Sequence, residues 1–261
     1  MNRDQREEVQ RRGEPRPAWL RLSPRLQQVA AFVPRGSRVA DIGTDHGYVP
    51  IYLACTGQIR EALAMDVGKG PLERAGDHIR AYERWAETEG LLPVSIHTRL
   101  SDGLTELRPG EADAVVMAGM GGELVMRILE AGRSLWDHIR TWILSPQSDL
   151  EKVRRYLAAN GFCIAEEAMV KDEGKFYTVM KVQRGLEPAC SVIQLRYGRH
   201  LLDRRDPILT EYLNRERKRV QTILGTLGGD TENQARARSS LELELQQIEE
   251  ALYEIQGMDV Q

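Results

Sequence analysis

Apolar positions follow two regimes along this chain: alternation and short runs up to about residue 184, then a four-three spacing beyond about residue 194. In the first regime, residues 38–42, 61–66, 93–99, 112–118, 141–145, 162–171 and 176–184 carry the apolar or alternating runs expected of buried strands. Between the first five lie helical stretches at 48–55, 69–90 and 121–135, with a short piece at 104–107. A further helix is expected at 149–159, with Asp149 near its start and Asn160-Gly161 ending it. Upstream, Ser23 as N-cap and Pro24 at the first helical position open a helix whose Leu26, Val29, Ala30 and Val33 recur until Pro34 stops it. Strand–helix alternation of this kind predicts a parallel sheet covered on both faces. The last two strands are joined only by Lys171-Asp172-Glu173-Gly174-Lys175, so the final strand is expected to run antiparallel to the rest.

In the second regime, Leu209, Leu213, Val220, Ile223 and Leu227 form one seam, broken once by Glu216. A turn at Gly228-Gly229-Asp230-Thr231 follows, and Leu241, Leu245, Ile248, Leu252 and Ile255 form a second seam. One apolar seam per helix predicts an antiparallel coiled-coil hairpin. The competing arrangement docks both seams on the α/β domain. The expected division is a disordered polar tail at 1–18, an α/β domain at 19–190 and the helical hairpin at 191–261.

The 261 residues, 41% of them hydrophobic, suffice for one α/β domain and an appendage. No apolar run approaches the ~20 residues a membrane span needs. Residues 1–16 mix five arginines with four acids and contain no apolar core, unlike a signal peptide. Cys55, Cys163 and Cys190 are widely spaced, which predicts reduced thiols, the first and second buried, a cytoplasmic location and no structural metal. The net charge of -3 conceals an asymmetry. Nine Lys/Arg oppose five Asp/Glu over residues 184–219, whereas two arginines oppose eight acids over residues 230–261. A basic first helix suits either a complementary hairpin or contact with a polyanion.

The candidate chemistry lies at strand ends. Val39-Ala40-Asp41-Ile42-Gly43-Thr44-Asp45-His46-Gly47-Tyr48 reads as the first strand and loop of a nucleotide-type βαβ unit. Asp45 stands where G-x-G-x-x-G places its second glycine, and a carboxylate there would repel a pyrophosphate. It would welcome the sulfonium and ammonium of S-adenosylmethionine (SAM), so SAM is the expected cofactor and NAD is disfavoured. Asp66, 25 residues after Asp41, is placed to accept from a ribose diol. Asp102, in Arg99-Leu100-Ser101-Asp102-Gly103-Leu104, is placed to accept from an adenine amino group, or else to make an Asx turn. With Val67, Ser101, Gly103, Gly43, His46, Gly47, Ala118 and Gly119, and with Asp45 itself, these acids make up the expected cofactor crevice. After the fourth strand, Ala118-Gly119-Met120-Gly121-Gly122-Glu123 supplies no side-chain base. Such a loop suffices for N1 of adenine, whose lone pair is free at neutral pH, leaving alignment and water exclusion as the catalytic devices. Asp45, Gly119, Met120 and Gly121 are the expected reacting face. Tyr48, Ser145, Pro146 and Gln147 are the expected substrate contacts. His46 and Asp45 are adjacent in a turn and are not expected to face each other, while His78, His97, His138 and His200 read as structural or surface residues.

The run 39–50, the Arg-Leu-Ser-Asp-Gly-Leu loop, the Ala-Gly-Met-Gly-Gly segment and Glu173–Val179 resemble the bacterial tRNA (adenine-N1)-methyltransferase family, which modifies adenosine 22 in the tRNA core. The likeness covers roughly residues 22–184. It implies a Rossmann-like SAM-dependent methyltransferase sheet, cofactor binding by Asp41, Gly43, Asp66 and Asp102, and a substrate face near Asp45, Gly119–Gly122 and Ser145–Gln147. One departure stands out: the family order is nearer Gln-Pro-Asn, and this chain has Ser145-Pro146-Gln147-Ser148. The expected activity is methyl transfer from SAM to N1 of a tRNA adenine. Arg204, Arg205, Arg215, Arg217, Lys218 and Arg219 would hold the tRNA backbone. A methyltransferase of another acceptor, dimerised through the hairpin, and a non-catalytic RNA-binding protein are the alternatives. The hairpin leaves monomer and homodimer both open.

Overall fold

A computed structural model describes residues 21–227 and 231–257. The tail at 1–18 and the Gly228-Gly229-Asp230 part of the expected turn lie outside the described residues. Seven strands, β1 (Ser37–Ile42), β2 (Ile59–Asp66), β3 (Ser95–Leu100), β4 (Ala114–Ala118), β5 (Thr141–Ser145), β6 (Phe162–Asp172) and β7 (Lys175–Arg184), form one sheet in the order β3-β2-β1-β4-β5-β7-β6. All pairings are parallel except those of β7, which is antiparallel to both β5 and β6. The last strand in sequence is therefore the inverted one, but β6 forms the sheet edge. The two-residue turn explains the inversion. Glu173 and Gly174, at φ 48° and 76°, give the left-handed corner that returns the chain directly alongside β6.

Alternation splits the central strands between two cores. Ala40, Ile42, Leu63, Met65, Val115, Met117, Trp142 and Leu144 face one side. Val39, Ala62, Ala64, Ala114, Val116 and Ile143 face the other. The second side is covered by α1 (Pro24–Phe32), α2 (Tyr48–Cys55) and α3 (Lys69–Thr88), the first by α4 (Gly122–Ala131) and α5 (Leu150–Ala159). This is the double burial that a parallel sheet requires. Ser23 caps α1 through Leu26 N, and Pro24 occupies its first turn. Two expectations are corrected. Residues 104–106 lie in turns and not in a helix, and Leu104 and Leu107 turn inward from the loop after β3 into the core. The 121–135 helix ends at Ala131, since Gly132 packs flush against Leu104 and a 3-10 turn follows at Arg133–Leu135. Among the described residues the three cysteines form no disulfide and are only partly buried, so the expected burial of Cys55 and Cys163 is met only in part.

Beyond β7, two short helices, α6 (Val192–Tyr197) and α7 (Arg199–Asp203), precede the long pair α8 (Pro207–Thr226) and α9 (Glu232–Gln256). The long helices form a hairpin within the chain: Leu209, Leu213 and Val220 pack with Ile248, Ala251, Leu252 and Ile255. The same cluster includes Met169 of β6 with Ile193, Tyr197, Leu201 and Leu202, so the seams bury both each other and the sheet edge. A buried ion pair fastens this union. Arg154 of α5 meets Glu167 of β6 at 2.9 Å, with side chains 3% and 1% exposed. The same guanidinium donates to the Leu195 and Arg196 carbonyls at the end of α6. Among the described residues no helix is long and apolar enough to cross a membrane.

Candidate active site

The strand order reverses between β1 and β4, so a crevice opens at the carboxyl ends of the parallel strands. The three acids stand along it. Asp41, next to last in β1, is buried, and burial pushes its carboxyl up to about 6. The nearby Thr44 hydroxyl pulls it back, although it stands outside strict hydrogen-bond geometry, and the Asp66 charge adds to the rise. Asp66 ends β2, where its Oδ1 accepts from Gly68 N at 2.7 Å. Asp102 follows β3 and is exposed. Val67 is 69% exposed and Leu100 48% exposed beside these acids, an apolar pair bared where most such side chains are covered. Sequence reasoning named Val67 and missed Leu100, whose signal was only its place at a strand end.

The other loop residues divide. Gly43, at φ 76°, packs against Met120, and a Cβ there would lie 2.9 Å from Met120 Cε, so the loops after β1 and β4 touch only because position 43 is glycine. Gly47, at φ 68°, stands at the N-terminus of α2. Ser101 is turned inward: its Oγ donates to the Gly103 carbonyl and accepts from Glu106 N. Gly103 lies against Ile128, where a Cβ would be 2.9 Å from two of its carbons. Both residues shape the loop that presents Asp102 and do not themselves face the crevice.

Asp45 and His46 do face each other, contrary to expectation. His46 Nε2 lies 3.1 Å from Asp45 Oδ2, and Arg74 of α3 pairs with the other carboxylate oxygen. The Arg74 guanidinium holds the Asp45 carboxyl below its ordinary value. The turn permits this pairing because His46 is fixed elsewhere. Its ring stacks on Tyr48 at 5.0 Å and on His78 at 5.5 Å, while His78 Nδ1 lies 2.9 Å from the His46 carbonyl oxygen. His78 thus belongs to the wall of the site, a place its position in a long helix did not announce.

Across the crevice, two backbone bonds tie the loops after β4 and β5: Gly119 N to Ser145 O at 3.2 Å and Gln147 N to Met120 O at 2.9 Å. Ala118 pairs with Ser145 in register, and Gly121 caps α4. Ser145 and Pro146 are buried, with Ser145 Oγ lacking a partner, whereas Gly119 and Gln147 are exposed. Gly122 admits the Ser148 carbonyl against its α-carbon, and a Cβ there would also lie 2.9 Å from Val153 Cγ2. One further group enters. Arg25 of α1 extends to Gly119, where a Cβ would lie 3.4 Å from its Nη1.

This crevice suits SAM. A buried acid whose charge is disfavoured without a counter-ion, an acid with one oxygen accepting no bond among the described residues, and two bared apolar side chains match a cation, a ribose diol and an adenine ring. Residues 22–180 match the family described as "Methyltransferase domain". The chain belongs to that methyltransferase family. The methyltransferase is 36% identical over 166 residues to the tRNA (adenine(22)-N(1))-methyltransferase of Bacillus subtilis, spanning 64% of this chain and 66% of that relative. The crystal structure of the B. subtilis m1A22 tRNA methyltransferase superposes with a TM-score of 0.74 at 27% identity, over 89% of this chain and 99% of that one. Sp1610 of Streptococcus pneumoniae, in complex with S-adenosyl-L-methionine, gives 0.77 at 30% identity, over 89% of this chain and 100% of that one.

The six cations expected to hold a polyanion are not one free array. Arg219 pairs with Glu216 at 2.6 Å and Glu244 at 2.7 Å. Arg204 donates to the Glu167 carbonyl, Arg205 packs against Gly257, and Arg217 donates to Asn214. Arg215 lies 4.6 Å over the Phe176 ring and donates to the Gly174 carbonyl, which brings α8 to the β6–β7 turn at the crevice edge of the sheet. Lys218 is exposed.

Proposed function

We propose that this methyltransferase moves the methyl group of SAM to N1 of an adenine in tRNA, adenosine 22 by its likeness to the B. subtilis enzyme. The observation that carries the reading is the composition of the crevice: acids at three strand ends face a glycine loop, exposed at Gly119, that contributes no proton acceptor. When bound, SAM supplies an electrophilic methyl group. Asp66 would hold the ribose, Asp102 the adenine amino group between Val67 and Leu100, and Asp41 the cationic end of the cofactor. Asp45, kept ionised by Arg74 and His46, is a poor base, and its charge instead favours a cation in the crevice. That suits this reaction, since N1 gives up no proton and the positive charge passes from cofactor to base. Tyr48, Gln147 and the Gly119–Gly121 loop would align the adenine and exclude water. The tRNA backbone would lie along the crevice edge toward α8, and the protein would act in the cytoplasm.

The test is methyl transfer from labelled SAM to unmodified tRNA transcripts, with the product mapped by reverse-transcription arrest. Arrest at a single core adenine is expected, because a methyl on the Watson–Crick edge blocks pairing. No incorporation by protein that binds SAM in calorimetry would refute the reading.

A further inference from the structure

Arg25 is a cation at the crevice that the reaction described above does not use. Its backbone is pinned to the β6–β7 turn, Arg25 N donating to Asp172 Oδ2 at 3.3 Å. Its guanidinium lies 5.2 Å over the Tyr177 ring, which fixes the plane of the fork. The head then reaches the β4 loop. A Cβ at position 119 would be 3.4 Å from Nη1, 3.8 Å from Nη2 and 3.9 Å from Gln147 Nε2, so the group stands against the exposed glycine of the proposed reacting face. Nη1 is packed away from solvent without a hydrogen-bond partner, and among the described residues Nη2 also forms no hydrogen bond or salt bridge, so the fork is reached through Nη2. A donor held in this state is unfavourable unless something accepts from it.

Guanidinium groups donate only, so the missing partner is an acceptor. Adenine N1 is not that partner: a donor on N1 would occupy the attacking lone pair, and a cation beside it would oppose the positive charge that the product gains. The adenine amino group is itself a donor. The phosphate is the one group of a nucleotide with a full negative charge, and it matches a pre-oriented fork. We propose that Arg25, braced by Tyr177, binds the phosphate of the nucleotide being methylated and so holds its base against Gly119. The assignment rests on the tRNA reading.

Two measurements test it. In Arg25→Gln, kcat/KM for tRNA should fall by ~10–100-fold, the range for one charge-assisted contact, with SAM affinity and melting temperature unchanged. The slope of log kcat/KM against log salt should flatten by about one, and Arg25→Lys should restore it. Independently of any variant, a tRNA carrying a neutral methylphosphonate at the target nucleotide should lose the same factor with the wild-type protein. Combining it with Arg25→Gln should add nothing further. Additive losses, or an unchanged salt slope, would overturn the phosphate assignment while methylation by the wild type leaves the tRNA reading standing. No methylation of tRNA by the wild type would remove both.

Discussion

The Asp41 carboxyl is buried near the end of β1, where its charge is disfavoured. It titrates near 6 because burial penalises the charge. The folded protein therefore holds this proton more tightly than the unfolded chain does. The group costs nothing below about pH 4, and its cost grows between pH 4 and 6 to about 3 kcal/mol, two pH units of displacement at ~1.4 kcal/mol each. Asp41→Asn should accordingly raise the unfolding midpoint at pH 8 and leave it nearly unchanged at pH 4. The same substitution should weaken SAM binding, and wild-type affinity should rise from pH 5 to 7 while that of the variant stays flat. Thermal unfolding and calorimetry across that range would check both effects. An Asn variant that is no more stable at pH 8 would contradict the burial argument. Asp45 behaves oppositely: Arg74 holds it ionised, so it contributes no inflection in this window.

At the level of elements, the hairpin is joined to the sheet by more than its apolar seam. Arg154 and Glu167 are both buried, and the arginine also satisfies two carbonyls at the end of α6. Gly198, at φ 99°, leaves the space they occupy, since a Cβ there would lie 2.6 Å from Glu167 Oε2. Removing one partner strands the other charge, so Arg154→Met should destabilise the fold by ~3–5 kcal/mol, and Arg154→Met with Glu167→Leu by considerably less. Urea unfolding of the single and double variants distinguishes this from a packing loss, which would be additive. An additive result would show that the ion pair is not what fastens α6.

Over the whole molecule, charge is distributed in two layers. The acidic α9 answers part of the basic α8, as Glu244 does for Arg219. The contacts of Arg215 with Phe176 and Gly174 place that side chain of α8 at the same sheet edge as Arg25 and the crevice. A polyanion crossing that edge would meet the exposed Lys218, whereas Arg219 is already paired with Glu216 and Glu244. Lys218→Gln should reduce the salt dependence of tRNA affinity and leave the melting temperature unaltered. Arg219→Gln should lower the melting temperature slightly and leave the salt slope unchanged. Filter-binding titrations at several ionic strengths separate the two. Equal slopes for both variants would remove α8 from the interface.

Local patterning alone determined the strands. Val39, Ala40 and Ile42, or Trp142, Ile143 and Leu144, are strand-like because successive side chains point to opposite faces and both faces are buried. The positions of Asp41 and Asp66 were legible for a related reason, an acid at or near the end of an apolar run marking where a strand leaves the core, and that of Asp102 from the turn signal Ser101-Asp102-Gly103. The coiled-coil spacing likewise marked α8 and α9, but it could not show that Met169 completes their core. Only the tertiary structure turned Ser101 inward, stacked His46 on Tyr48 and His78, slotted β7 between β5 and β6, and brought Arg25 to Gly119 across more than ninety residues of chain. Sequence periodicity records the geometry of the local backbone, whereas the partner that a polar side chain finds depends on which distant elements the packed core has already placed beside it.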